Sequence, residues 1–161
     1  MSEQGYVPYG WQFKEERVCI ESTRGKGMNY LGLISRKNHL IYEAMSGNVN
    51  TEAVIQFLDK FSFTLKNQTV VVLDNASIPT AKKLKSCLAG WQSRGLYIFY
   101  LPPYSPHLNI IERFWKELKE GWIKPQDYKT ADTLFYAVNR IFSSVGNELK
   151  LNFSPFKSSL N

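Results

Sequence analysis

The chain has 161 residues, of which 43% are apolar, and it contains 4 Trp, 9 Tyr and 10 Phe. This length and composition predict one globular domain with a real core and exclude an intrinsically disordered chain. The 20 Lys and Arg residues outnumber the 14 Asp and Glu residues, and the net charge of +6 suits a polyanionic partner. No apolar run reaches the ~18 residues of a membrane span, and the two isolated cysteines indicate neither a disulfide framework nor a zinc site, so a cytoplasmic protein is expected.

The first third of the sequence predicts a loop, a hairpin and a helix. Residues 1–11 are rich in Gly and Pro and are predicted to form a loop, and Arg17–Ile20 is a candidate short strand. Two apolar segments, Asn29–Ile34 and Leu40–Met45, flank a polar connection and predict an antiparallel hairpin. Apolar residues at helical spacing predict a helix over Thr51–Phe61.

The remainder predicts a strand, a helix and a strand, followed by two more helices. The strands are Thr69–Leu73 and Leu96–Tyr100, and the helix between them is predicted from Pro79 to Leu88, ending before Gly90. This βαβ order predicts that the two strands are parallel. The last two predicted helices are Asn109–Lys119 and Thr130–Val145. In the second of these helices, the residues predicted to be buried are Leu134, Phe135, Val138, Ile141 and Phe142.

Two acidic residues follow these parallel strands. Asp74 comes directly after the run of β-branched residues in the first strand, and Glu112 opens a helix after a proline-rich loop. Because the carboxyl ends of parallel strands meet at one edge of a sheet, both carboxylates are expected at that edge, where α/β proteins place their sites.

Each acid also has a purely structural interpretation. Asp74 is a candidate helix cap in a strand-to-helix turn. The sequence Asn109-Ile-Ile-Glu112 fits a capping box, and Glu112 is also placed to pair with Lys116 one turn later. Composition and spacing alone do not decide between these interpretations and a functional site.

Two blocks resemble the catalytic domain of DDE transposases, in the insertion-sequence branch of the mariner-like superfamily. The first is Val72–Ile78, which reads Val-Leu-Asp-Asn-Ala-Ser-Ile. The second is Leu101–Trp115, which reads Leu-Pro-Pro-Tyr-Ser-Pro-His-Leu-Asn-Ile-Ile-Glu-Arg-Phe-Trp. The resemblance implies a ribonuclease H-like α/β fold, a mixed sheet flanked by helices. It would occupy residues 1–146, with residues 147–161 as a tail.

The same resemblance implies a metal-dependent reaction on DNA. In these transposases the acids that match Asp74 and Glu112 are the second and third ligands of Mg²⁺ or Mn²⁺. The first ligand is an Asp at the end of an opening strand, in an Asp-Glu-x-Gly-aromatic motif. Here Ser2 stands at that position before Glu3, and Pro79 stands where relatives commonly have His. The opening central strand is therefore expected to be missing or incomplete.

Several residues around the two blocks are candidate DNA contacts. Aromatic rings can stack on bases and cations can neutralise phosphates. Trp115 and Trp122 recur at helical spacing and are predicted to be core residues instead. The candidate DNA-contacting residues are Asn75, Tyr104, His107, Arg113, Lys116 and Lys119.

The function implied by the resemblance is DNA transposition. The partners would be transposon ends and target DNA, with a homodimer as one arrangement, and no membrane is involved. The alternative hypothesis is a catalytically inactive transposase remnant that at most binds DNA. A nuclease or integrase on the same fold is a third hypothesis, and the Pro-Pro-Tyr-Ser-Pro sequence disfavours it.

Overall fold

The computed structural model describes residues 28–74, 81–102, 105 and 108–153. The predictions for residues 1–27, including the opening loop and the strand at Arg17–Ile20, lie outside these ranges. So do the predicted helix start at Pro79 and three of the candidate DNA-contacting residues, Asn75, Tyr104 and His107.

Two small sheets carry the strands of the described chain. Strands β1 (Asn29–Ile34) and β2 (Leu40–Met45) form the predicted antiparallel hairpin, with Gly32 opposite Tyr42. Strands β3 (Thr69–Leu73) and β4 (Leu96–Tyr100) are parallel, as the βαβ order predicts. Within the described ranges, β1 and β3 do not pair with each other.

Within the described ranges, four α-helices accompany the strands. They are α1 (Thr51–Phe63), α2 (Ala81–Ser93), α3 (Ile110–Glu117) and α4 (Ala131–Ser144). The side chain of Asn50 caps α1 by accepting a hydrogen bond from the backbone N–H of Ala53, and Thr130 caps α4 through Thr133. Helix α3 continues into a π-helical turn, Leu118–Trp122, and a 3₁₀ turn follows at Pro125–Tyr128.

Helix α2 does not end before Gly90, so that prediction is wrong. The helix continues to Ser93 because its last turn carries Trp91, which has no exposed surface and donates a hydrogen bond to the Asp59 carboxylate at 3.1 Å. Burying an indole outweighs the roughly 1 kcal/mol cost of a glycine inside a helix.

Two hydrophobic clusters define the two sides of the strand layer. One cluster lies under α1 and α2 and includes Val71 of β3 and Leu96 of β4, with Leu33 of β1 packed against it. The other lies under α3 and α4, where Tyr30 and Ile34 of β1 pack. Because alternate residues of one strand point to opposite faces, β1 separates an α1–α2 side from an α3–α4 side. The result is a mixed α/β architecture of the predicted ribonuclease H-like class.

The predicted core of α3 and α4 is confirmed except at one position. Phe135, expected to be buried, is 41% exposed, and Ala137 is buried instead, because the packed face of α4 is centred on Val138 and Ile141. Trp115 and Trp122 pack against the α3–α4 cluster, each within 6 Å of the Phe114 ring centre. Both tryptophans are therefore part of the hydrophobic core, as predicted.

A hydrogen-bonded clamp joins the β1–β2 turn to the chain after α4. The Asn38 side chain donates to the Leu151 carbonyl at 3.1 Å and accepts from the Leu151 amide at 2.7 Å. Leu151 is buried, so part of the predicted tail is packed against the domain. Gly146 lies beside the clamp with φ +88°, and a Cβ on it would stand 2.7 Å from the Asn38 carbonyl oxygen.

We expect Gly146→Ala to lower the free energy of unfolding by about 1–3 kcal/mol, because the added methyl would meet a backbone oxygen at a strained φ. Urea denaturation followed by circular dichroism would measure the loss. Gly47→Ala is the matched control, since a methyl group added at Gly47 would meet nothing within 4 Å. Equal free energies of unfolding for the two variants would contradict the predicted clash between a methyl group at position 146 and the Asn38 carbonyl oxygen.

Candidate active site

Asp74 lies at the carboxyl end of the parallel sheet. The Leu101 amide donates to the Leu73 carbonyl at 2.9 Å, so the β3–β4 ladder extends to the residue that precedes Asp74. The alternation of β3 assigns Asp74 to the face of Val70 and Val72, away from the α1–α2 cluster that contains Val71.

Glu112 lies in the first turn of α3, which begins at Ile110. Helix α3 packs its apolar face on β1, where the ring of Trp115 stands 3.4 Å from the position of a Cβ on Gly32. Glu112 is exposed beside this packed face. A glycine at position 32 lets the helix approach the hairpin closely, which fixes where the first turn of α3 lies.

The structural interpretations of Glu112 do not hold in the structure. Asn109 is the N-cap of α3, but its side chain makes no capping hydrogen bond, so the capping box is not formed. Lys116 pairs with Glu120 at 3.9 Å rather than with Glu112. Glu112 has no ion pair or side-chain hydrogen bond with any residue in the described ranges, so neither alternative explains its carboxylate.

The candidate cations of α3 and the following turn are exposed. Arg113 and Lys119 form no ion pair with another described residue, whereas Lys116 has the long contact with Glu120. These side chains share the solvent-facing surface of the segment that carries Glu112. Such a surface is available to a polyanion, although Glu117 and Glu120 also contribute negative charge to this segment.

The donor chemistry of the two acids is compatible with a hard divalent cation. Mg²⁺ prefers carboxylate oxygens and is commonly held by one or two protein carboxylates together with water and substrate phosphates. Among the described residues, no group of three or more His, Cys, Asp or Glu side chains is arranged to hold a metal. A metal at this edge would therefore rest on Asp74 and Glu112 within the described ranges, and their joint binding of one ion stays a prediction.

Sequence reasoning did not anticipate the apolar face that leads to Asp74. Val70 and Val72 of β3 and Tyr97 and Phe99 of β4 are exposed on the face opposite the α1–α2 cluster. The signal was present in the sequence, because Val70–Leu73 and Leu96–Tyr100 are apolar or aromatic at every position, so each strand has two apolar faces.

The mixed α/β fold, with one antiparallel and one parallel sheet and flanking helices, is that of the ribonuclease H-like class of α/β domains. The sequence profile of DDE superfamily endonucleases matches residues 1–135, which is most of the chain. The chain therefore belongs to the DDE superfamily endonuclease family.

A relative among curated proteins is less informative. The chain is 26% identical over 87 residues to "Uncharacterized protein y4pE/y4sA" of Sinorhizobium fredii (strain NBRC 101917 / NGR234), a match that covers 53% of this chain and 60% of that protein. The chain thus spans less than two thirds of that relative. No solved structure matches the chain at a significant level. None of the helices in the described ranges is long and apolar enough to cross a bilayer.

Proposed function

We propose that this chain is the catalytic domain of a DNA transposase, which cleaves and joins phosphodiesters at the ends of a transposable element. The observation that carries the proposal is the exposed Glu112 in the first turn of α3, whose carboxylate forms no capping box and no ion pair with a described residue, together with Asp74 directly after the parallel strand β3. Membership of the DDE superfamily endonuclease family supports endonuclease activity. The two carboxylates would supply the metal ligands that this activity needs.

In this proposal Asp74 and Glu112 hold Mg²⁺ or Mn²⁺. A bound divalent ion activates an oxygen nucleophile and relieves negative charge on the phosphoryl group. The chain's own contribution is positional. The β3–β4 ladder anchors Asp74, packing of α3 on β1 anchors Glu112, and Asn75, Tyr104 and His107 are proposed to contact DNA beside them.

A supercoiled plasmid tests the proposal directly. In the transposases that this chain resembles, the first ligand is an Asp that ends a strand, and Ser2 stands at that position here. We expect the unmodified chain to leave the plasmid intact and a fusion that carries such a strand before position 2, with Ser2→Asp, to nick it in the presence of Mg²⁺. A fusion that folds but does not nick would contradict the transposase proposal.

The second candidate function is DNA binding without cleavage, and Ser2 at the first-ligand position favours it. The two candidates differ in what the unmodified chain does with Mg²⁺. Nicking by the unmodified chain, lost in Glu112→Gln, would contradict the inactive alternative. It would also show that the Asp at position 2 is not needed. A cytoplasmic location and a homodimer are parts of the proposal that plasmid nicking does not test.

DNA binding is expected to be electrostatic and indifferent to sequence. The plot of log affinity against log salt should be steeply negative, because each neutralised phosphate releases counterions. Arg113→Ala and Lys119→Ala should each reduce the magnitude of the slope by about 1. Fluorescence anisotropy with a labelled duplex, from low to moderate salt, would measure both effects.

Lys60→Ala is the control for this prediction. Lys60 lies on α1 and is already paired with Glu43 at 2.7 Å, so its loss should leave the slope unchanged. Binding that survives high salt, or a strong preference for one duplex sequence, would show that a base-reading element exists in addition to these cations.

A further inference from the structure

Exposed cations lie on the turn between β1 and β2. In this turn, residues 35–39, Arg36 and Lys37 are exposed, whereas Asn38 is only 8% exposed. Lys37 forms no ion pair with any residue in the described ranges. Among the described residues, nothing therefore neutralises the Lys37 charge, and it is available to an anionic partner.

Hydrogen bonds fix the shape of this turn. The Ser35 hydroxyl accepts from the Lys37 amide at 3.2 Å and from the His39 amide at 3.1 Å. The Ser35 amide donates to the His39 carbonyl, and the Asn38 amide donates to the Ser35 carbonyl, both at 2.9 Å. The backbone that carries Arg36 and Lys37 is thus held in one conformation.

The clamp between Asn38 and Leu151 brings a third cation to the turn. Lys150 directly precedes Leu151, is exposed and has no ion pair with a described residue. Bond lengths and the 2.7 Å hydrogen bond from the Leu151 amide to the Asn38 side chain limit the distance between the Lys37 and Lys150 Cα atoms to about 12 Å. Arg36, Lys37 and Lys150 therefore form one basic surface, which we call the hairpin patch.

The charge of the hairpin patch suits a phosphate backbone. Its formal charges are all positive, and Glu148, two residues before Lys150, is the acid nearest to it in sequence. Each strand of duplex DNA carries a phosphate per ~3.4 Å of helix axis, so neighbouring lysines can reach phosphates of one backbone segment. Because the turn is already fixed, less conformational freedom is lost when it binds.

We infer that the hairpin patch is a second DNA-contacting surface, on which Lys37 and Lys150 bind backbone phosphates of a duplex. It is additional to the cations proposed on α3 and the turn that follows. Phosphate contacts position a duplex without reading its sequence. The inference rests on the proposal that the chain binds DNA, and it does not depend on cleavage.

The salt dependence of duplex binding by the full chain tests the hairpin patch. Lys37→Ala and Lys150→Ala should each reduce the magnitude of the slope of log affinity against log salt by about 1, because each removes one phosphate contact. Lys37→Arg should keep the slope of the unmodified chain, since it retains the charge. Fluorescence anisotropy with a labelled duplex would measure these slopes.

Lys66→Ala is the matched control. Lys66 is exposed in the connection between α1 and β3, and it forms no ion pair with a described residue. Its replacement changes the net charge exactly as Lys37→Ala does, but at a position outside the patch. We expect its slope to equal that of the unmodified chain. An equal reduction in all three alanine variants would show a general effect of net charge and would overturn the inference.

Protection from acetylation gives the location of the contacts independently. The chain is treated with N-hydroxysuccinimidyl acetate with and without the duplex, and the modified lysines are quantified by mass spectrometry. Acetylation of Lys37 and Lys150 should fall several-fold when the duplex is present, whereas acetylation of Lys66 should not change. Equal acetylation of Lys37 and Lys150 in both conditions would overturn the inference.

These measurements separate the hairpin patch from the proposed transposase activity. Unchanged slopes in Lys37→Ala and Lys150→Ala, with a reduced slope in Arg113→Ala, would overturn the patch and leave the proposed function in place. Reduced slopes in both lysine variants, with a fusion that folds but does not nick the plasmid, would support the patch and contradict the transposase proposal.

Discussion

Glu112→Gln is expected to abolish Mg²⁺-dependent nicking by the fusion that carries Asp at position 2. Gln keeps the shape of the side chain but removes the charge that holds a divalent ion. Loss of a residue that only supports a ligand typically costs 10–100-fold in metal affinity or activity, so loss of a ligand itself should cost more than about 100-fold. Initial rates of plasmid relaxation, measured over a range of Mg²⁺ concentrations, would give this factor.

Glu117→Gln and Glu120→Gln are the matched controls. Both remove an acid from the same helical segment, so they change the net charge as Glu112→Gln does, but neither is proposed to bind metal. We expect each to retain nicking, and slightly stronger DNA binding would be consistent with the added net positive charge. Activity of Glu112→Gln that equals the activity of these controls would rule out Glu112 as a ligand.

Calorimetric titration with Mn²⁺ adds a measurement that does not depend on turnover. In the same fusion, both Asp74→Asn and Glu112→Gln should remove the heat of metal binding. If only one of them does, the two carboxylates do not share a metal site, even when both variants are inactive.

Trp91→Ala is expected to cause a large loss of stability, about 3–5 kcal/mol in the free energy of unfolding. Trp91 has no exposed surface and belongs to the cluster that joins α1 and α2 to the parallel strands. Its removal would leave a cavity at the centre of that cluster. Urea denaturation, analysed as a two-state transition, would measure the loss.

The polar contacts of Trp91 define the control. The Asp59 carboxylate accepts from the indole and also pairs with Arg94, which donates to Ser62 at 2.8 Å. Trp91→Phe keeps much of the buried ring and loses only the indole donor, so its cost should be nearer the roughly 1 kcal/mol of a single hydrogen bond. Equal losses in Trp91→Phe and Trp91→Ala would mean that the hydrogen bond, rather than packing, accounts for the contribution.

The four strands in the described ranges were predicted to the residue, because the local sequence sets where each begins and ends. Asn29–Ile34 and Leu40–Met45 end at polar turn residues, and Thr69–Leu73 ends at the acid that follows it. Parallel pairing of β3 with β4 followed from the helix between them, since a βαβ crossover returns the chain in the same direction. The same order predicts that Asp74 and Glu112 lie at one edge of the sheet, and their joint use stays a prediction.

Tertiary structure decided the features that depend on distant partners. Helix α2 passes Gly90 because Trp91 meets α1, and Phe135 is exposed because the packed face of α4 is set by the hairpin and α3. The sequence also left the role of the Glu112 side chain undecided, because both a capping box and an ion pair with Lys116 were sterically allowed. The structure shows that the Asn109 side chain makes no capping hydrogen bond and that Lys116 pairs with Glu120. A local sequence pattern indicates which contacts are possible, and tertiary packing selects among them.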